Sequence, residues 1–203
     1  MNLKTLQKNA ARLEELRATR VELDGMVSSL TEEANRLASS LENIDPRILL
    51  QVHPEGKHLP DKDAEKLQRL NALKEKISLV PGACANVERK AAVLGDELEL
   101  SYQEACRECG ADARAKLDRE LMAEIERNLP RCGGDGRRAA LAAKSALEHC
   151  ELAVWVGWFG AHRTSGDIVG RITQLIDAVR RFEAGEPVRP SAGGKVDQAE
   201  PQS

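Results

Sequence analysis

Aromatic side chains are nearly missing from this 203-residue chain: two Trp, two Phe and one Tyr, with none before Tyr102. β-Branched residues are also sparse, while Ala, Leu, Glu, Lys and Arg are abundant, and that balance points to an all-helical protein. No stretch approaches the ~20 apolar residues of a membrane span, and the first thirty residues lack the apolar core of an export signal. Nor is there a basic excess: the net charge is −3 and the pI about 5.9, so nothing in the charge balance advertises nucleic acid or an anionic membrane. Five cysteines with no export signal are not a disulfide framework. The expectation is a cytoplasmic protein with free thiols.

What the chain does have is a heptad repeat. Leu16, Leu23, Leu30, Leu37 and Ile44 recur every seventh residue, and Leu6, Leu13, Arg20, Val27, Ala34 and Leu41 interleave with them. This is the a/d seam of a coiled coil, and such a seam needs a partner helix. No proline precedes Pro46, so the first helix is expected from Leu3 to Asn43, ending at Asp45-Pro46. Arg20 is the polar exception at an a position. It either sets register or snorkels out of the seam.

Asp45-Pro46 can also open a short element over Arg47–Val52, apolar through Ile48, Leu49, Leu50 and Val52. His53 through Pro60 is rich in turn formers, and Asp61 can cap the next helix. That helix carries its own 3-4 alternation: Leu70, Leu73, Ile77, Val80, Cys84, Val87, Ala91, Leu94, Leu98 and Ala105. The phase survives across Pro81-Gly82, which implies one kinked helix or two collinear ones. At about 1.5 Å per residue the two stretches span roughly 60 and 70 Å. Folding back near residue 53 sets Pro81-Gly82 opposite Asp24-Gly25. The favoured arrangement is therefore an antiparallel helical hairpin over residues 1–109 with its tip at 45–60, and a parallel homodimer of the first helix is the rival.

Gly110 is expected to end the long helix, with Asp112 capping a third that presents Leu117, Leu121, Met122, Ile125 and Leu129. A fourth helix is expected over Arg137–Ala161 and a fifth over Asp167–Phe182. Together they would make a three-helix bundle over 110–184, followed by a disordered tail over 185–203 where Gly, Pro, Ser and Gln replace the periodicity. Trp155, Trp158, Phe159 and Phe182 all fall in this bundle. The apolar run Val154–Phe159 reads as a helix buried on several sides, or else as a hot spot for a partner.

Little chemistry is legible. Cys106 and Cys109 share a helix face, and Cys132 with His149-Cys150 could complete a tetrahedral zinc site, though the spacing departs from paired zinc knuckles. The competing reading makes these thiols small buried hydrophobes. A redox role is disfavoured, because the pair precedes a helix end, where the dipole opposes a thiolate. The stretch Cys132-Gly-Gly-Asp-Gly-Arg-Arg138 could cradle an anion at a helix start, but it lacks the Lys-Ser/Thr of a P-loop. His53, His58, His149 and His162 are scattered without an i+4 partner, and no nucleophile–base constellation can be assembled. The sequence thus reads as a non-catalytic interaction, assembly or adaptor subunit, binding another protein or itself through Ile48, Leu49, Leu50 and Val52. A zinc-binding or nucleic-acid-associated regulatory module is the alternative.

Overall fold

A computed structural model describes residues 3–42, 60–161 and 166–188. Among them the chain is all α, with five helices: α1 Leu3–Leu41, α2 Asp61–Asn128, α3 Gly136–Leu147, α4 Glu151–Gly160 and α5 Ile168–Glu183. They form two compact units. A helix-pair unit comprises Ala11–Asp96, and a bundle unit comprises Met1–Ala10 with Glu97–Ser203.

In the helix-pair unit, α1 and α2 run antiparallel. Arg20 bridges to Glu88 at 2.6 Å, while Glu33, further along α1, pairs with Arg69, which comes earlier on α2. Interpolating between these bridges sets Asp24-Gly25 level with the Val80–Gly82 segment, in line with the length argument. Both pairs face solvent, so they report the register and add little stability. Arg20 is held in its charged form by hydrogen bonds to Asp24 and then Glu88. Its guanidinium reaches out of the seam to these carboxylates, the second of the two behaviours expected of it.

One apolar cluster sits at the Leu41 end, where Ala34 and Leu41 pack with Leu70 and Leu73, flanked by Leu37, Ala38 and Leu67. Full burial of a Leu contributes about 1.5–3 kcal/mol. Every α2 position of the expected alternation is buried or half-buried. Pro81 lies inside the helix, lacking the N–H that would bond to the Ile77 carbonyl. At the helix start, Pro60 rather than Asp61 supplies the capping carbonyl, accepting from Asp63 and Ala64 at 2.9 Å. Asp61 and Asp63 instead occupy the first turn, where negative charge favours the dipole.

The expected helix end at Gly110 is not there. The α2 helix passes straight through, so residue 109 lies within it rather than at a boundary. One glycine costs about 1 kcal/mol in a helix, and the surrounding Ala, Leu, Glu and Arg outweigh that. A Cβ at 110 would meet the Phe159 Cβ at 3.6 Å, an ordinary contact. Gly110→Ala is therefore expected to stabilise the protein by about 0.5–1 kcal/mol, measured by chemical unfolding. The real end comes after Asn128. Gly134 N donates to the Leu129 carbonyl at 3.0 Å and Gly133 N to that of Pro130 at 3.3 Å, with positive φ at both glycines. This is a Schellman closure.

Two more expectations are corrected. The helix foreseen over Arg137–Ala161 is broken at 148–150. Cys150 adopts extended backbone (φ −69°, ψ 157°) and restarts the chain as the N-cap of α4. The break turns the apolar run onto the aromatic core. The tail foreseen from 185 begins as fixed structure: Gly185 (φ 70°) and Glu186 close α5 in a second Schellman turn, and the Glu186 carbonyl accepts from Trp155 Nε1 at 3.2 Å. Residues 189–203 lie outside the described part.

Candidate functional site

The bundle unit collects every aromatic residue of the chain. Trp155 and Phe159 stack at 5.5 Å, and Phe182 meets both edge-on at 5.8 and 5.7 Å. Trp158 packs against Phe159 at 5.2 Å, and the Lys116 ammonium lies 4.0 Å from the centroid of the Phe182 ring. The α4 helix is not buried all round as its composition suggested, because Val154 and Gly157 face solvent. Its buried edge is Trp155 and Phe159, four residues apart. Met122 likewise faces outward rather than into the bundle.

Beside this core sits the bundle's one buried charge among the described residues, Arg171 of α5. It forms a two-pronged bridge to Glu99 of α2, 3.1 Å on one prong and shorter on the other, and its guanidinium stands 5.1 Å from the Tyr102 ring centroid. The Arg171 hydrogen bond holds Glu99 below the usual carboxylate range, against the opposing effect of burial. Sequence reading missed this pair. Its only signal was a charged residue placed between Ile168 and Leu175 on the apolar stripe of α5.

Cys106 and Cys109 are buried one turn further along α2, near Tyr102 and Ala113. Burial raises the Cys106 thiol, only partly offset by Tyr102 and Arg171. Burial, then Cys106 and the carboxylates of Asp112, Glu108 and Glu183, push Cys109 up to about 11. These thiols are protonated near neutrality, which opposes nucleophilic chemistry. Cys132 and Cys150 are half-exposed. Among the described residues no three His, Cys, Asp or Glu side chains group to hold a metal, so the four cysteines proposed for zinc are not brought together as a ligand set. Alkylation of the native protein near neutral pH is expected to label Cys132 and Cys150 and to spare Cys106 and Cys109 until the chain is unfolded. Peptide mass mapping reads the order.

The glycine-rich loop at 132–136 makes no anion cradle. The Asp135 carboxylate already accepts from the Arg137 and Arg138 amides at 3.0 and 3.2 Å, so the start of α3 is capped by the chain itself. Elsewhere in the bundle unit, Arg114, Leu117, Leu121, Lys144, Leu147 and Ala153 are among the residues lining an open apolar groove of about 230 Å³. The tip residues Ile48, Leu49, Leu50 and Val52, with His53 and His58, lie outside the described residues. No described helix is long and apolar enough to cross a membrane. Against known protein families, curated proteins and solved structures, the chain finds no match.

What remains as surface is the helix pair itself. Its seam is well covered at the Leu41–Leu70 end. Through the middle, Leu16, Leu23 and Val27 of α1 are half-buried, while Val80 and Cys84 of α2 are buried.

Proposed function

We propose that this chain is a non-catalytic protein–protein interaction subunit, an assembly or adaptor element that works through its antiparallel helix pair as a coiled coil. The observation that carries the reading is the half-covered α1 side of the seam from Leu16 to Val27. Two helices alone leave part of these α1 side chains in water, and a further helix would remove that area. Five free cysteines fit a cytoplasmic setting.

The segment joining the two helices carries Ile48, Leu49, Leu50 and Val52, and these are the first residues to test as a partner contact. Partner capture by the full chain, followed by cross-link mapping, is expected to place contacts on α1, α2 and this segment. Leu49→Ser with Leu50→Ser should weaken capture while helicity by circular dichroism is unchanged. Cross-links confined to the bundle unit would overturn the reading. Loss of helicity in the double variant would return Leu49 and Leu50 to an internal packing role.

A further inference from the structure

Helix-weakening features gather on both helices of the pair at one level. On α2, Pro81 offers no amide hydrogen to the Ile77 carbonyl, and Gly82 follows it. One turn earlier, Ser78 Oγ donates to the Glu75 carbonyl at 2.6 Å. On α1, Gly25 is followed by Ser28, whose Oγ donates to the Asp24 carbonyl at 3.1 Å. Prolines, glycines close to serines, and serine hydroxyls turned back onto their own helix are the usual causes of helix bends. Both glycines face solvent, and a Cβ at either would meet no atom within 4 Å. Alanine therefore fits at both, and close packing is not what requires glycine there.

The two described bridges between the helices flank this level. Arg20–Glu88 lies on one side and Glu33–Arg69 on the other. Past the second bridge, Ala34, Leu41, Leu70 and Leu73 pack together, with Leu30 and Ile77 against them. Each arm is thus tied across its own seam. Between the arms, Leu23 and Val27 of α1 are only half-buried. A weak point in one helix of a pair is splinted by an unbroken neighbour, which has to bend with it. Setting weak points of both helices at the same level removes the splint.

We propose that this level is a shared hinge, at which α1 and α2 bend together. The arm made of residues 28–41 and 61–77 swings against the arm made of residues 11–22 and 84–96. The bridges and the apolar cluster move with the arms that carry them, so the motion breaks none of these contacts. The bend is confined to Gly25 through Ser28 on α1 and Ser78 through Gly82 on α2. The hinge follows from the helix pair alone and holds whatever the chain binds.

Backbone N–H residual dipolar couplings of the weakly aligned full chain test this, because segments of one rigid body share a single alignment magnitude. In the wild type, residues 61–77 and 84–96 of α2 should fit different magnitudes. Gly25→Ala with Ser28→Ala changes only α1, yet it should bring these two α2 segments to one magnitude, since a straightened α1 splints Pro81. Pro81→Ala with Gly82→Ala should in turn equalise residues 11–22 and 28–41 of α1. Circular dichroism should show that neither double variant loses helicity. Equal magnitudes in the wild type would overturn the hinge. So would a difference in α2 that the α1 substitutions leave unchanged, which would make Pro81 a bend of α2 alone.

Discussion

Phe159→Ala is expected to destabilise the bundle unit by about 3–5 kcal/mol, the cost of emptying an aromatic site in a packed core. Phe159 is 1% exposed and touches Trp155, Trp158 and Phe182, and its Cβ lies against the α2 backbone at Gly110. The cavity would open between elements from three parts of the chain, and the glycine opposite has no side chain to collapse into it. Both tryptophans lie in this unit, so fluorescence-detected denaturant unfolding reads the bundle alone, while circular dichroism reads both units. A large shift in fluorescence midpoint is expected. Val154→Ala, on the exposed side of the same helix, should stay within about 0.5 kcal/mol of the wild type. Equal effects at the two positions would mean that α4 does not bury the face described.

The second large effect is expected at Arg171. Arg171→Met leaves Glu99 without its partner and should cost about 2–3 kcal/mol, less than for a fully buried pair because Glu99 keeps part of its surface in water. The side chains are 9% and 33% exposed respectively. Replacing both, Arg171→Met with Glu99→Leu, should recover most of the loss, since no uncompensated charge remains. The pair also makes stability depend on pH. Glu99 titrates lower in the folded chain than the ordinary value of 4.5. Its contribution is therefore complete above that value and is lost as pH falls through the lower, folded one. Acid unfolding of Glu99→Gln should show a shallower decline below about pH 4.5 than the wild type. Parallel acid profiles would remove the bridge as a source of that dependence.

The helix pair was legible because period is a direct imprint of packing. Leu70, Leu73, Val80, Cys84 and Leu98 stand one, two, one and four helical turns apart in succession, and all are buried. The pairing register was legible too, because helix length per residue is fixed. Local signals failed where tertiary context outweighed them. Gly110 resembles a terminus, yet the helix continues because propensity is a sum over its neighbours, and the Phe159 side chain fits over the bare backbone. Conversely, nothing in the alanine-rich run after Arg137 marks a break at Cys150. That break follows from the need to turn Trp155 and Phe159 toward Phe182, a residue of another helix. The Arg171–Glu99 bridge joins positions 72 residues apart, beyond any local pattern. The tip at Ile48–Val52 was read from composition alone and lies outside the described residues.

The bundle unit is discontinuous: its residues come from Met1–Ala10 and from Glu97 onward, with the helix-pair unit inserted between. This sets an order of events on the ribosome. Chains fold vectorially, the earlier part first, so Leu6 and Ala10, both buried in the finished protein, emerge early but must wait until the part of α2 past Glu97 has been made. The helix pair has no such wait, since Arg20 can find Glu88 and Glu33 can find Arg69 while residues past 97 are still being added. The inserted unit would then act as a tether, holding the first turns of α1 at a fixed distance along the chain from Leu98 and Ala105 until the aromatic residues arrive to complete the bundle.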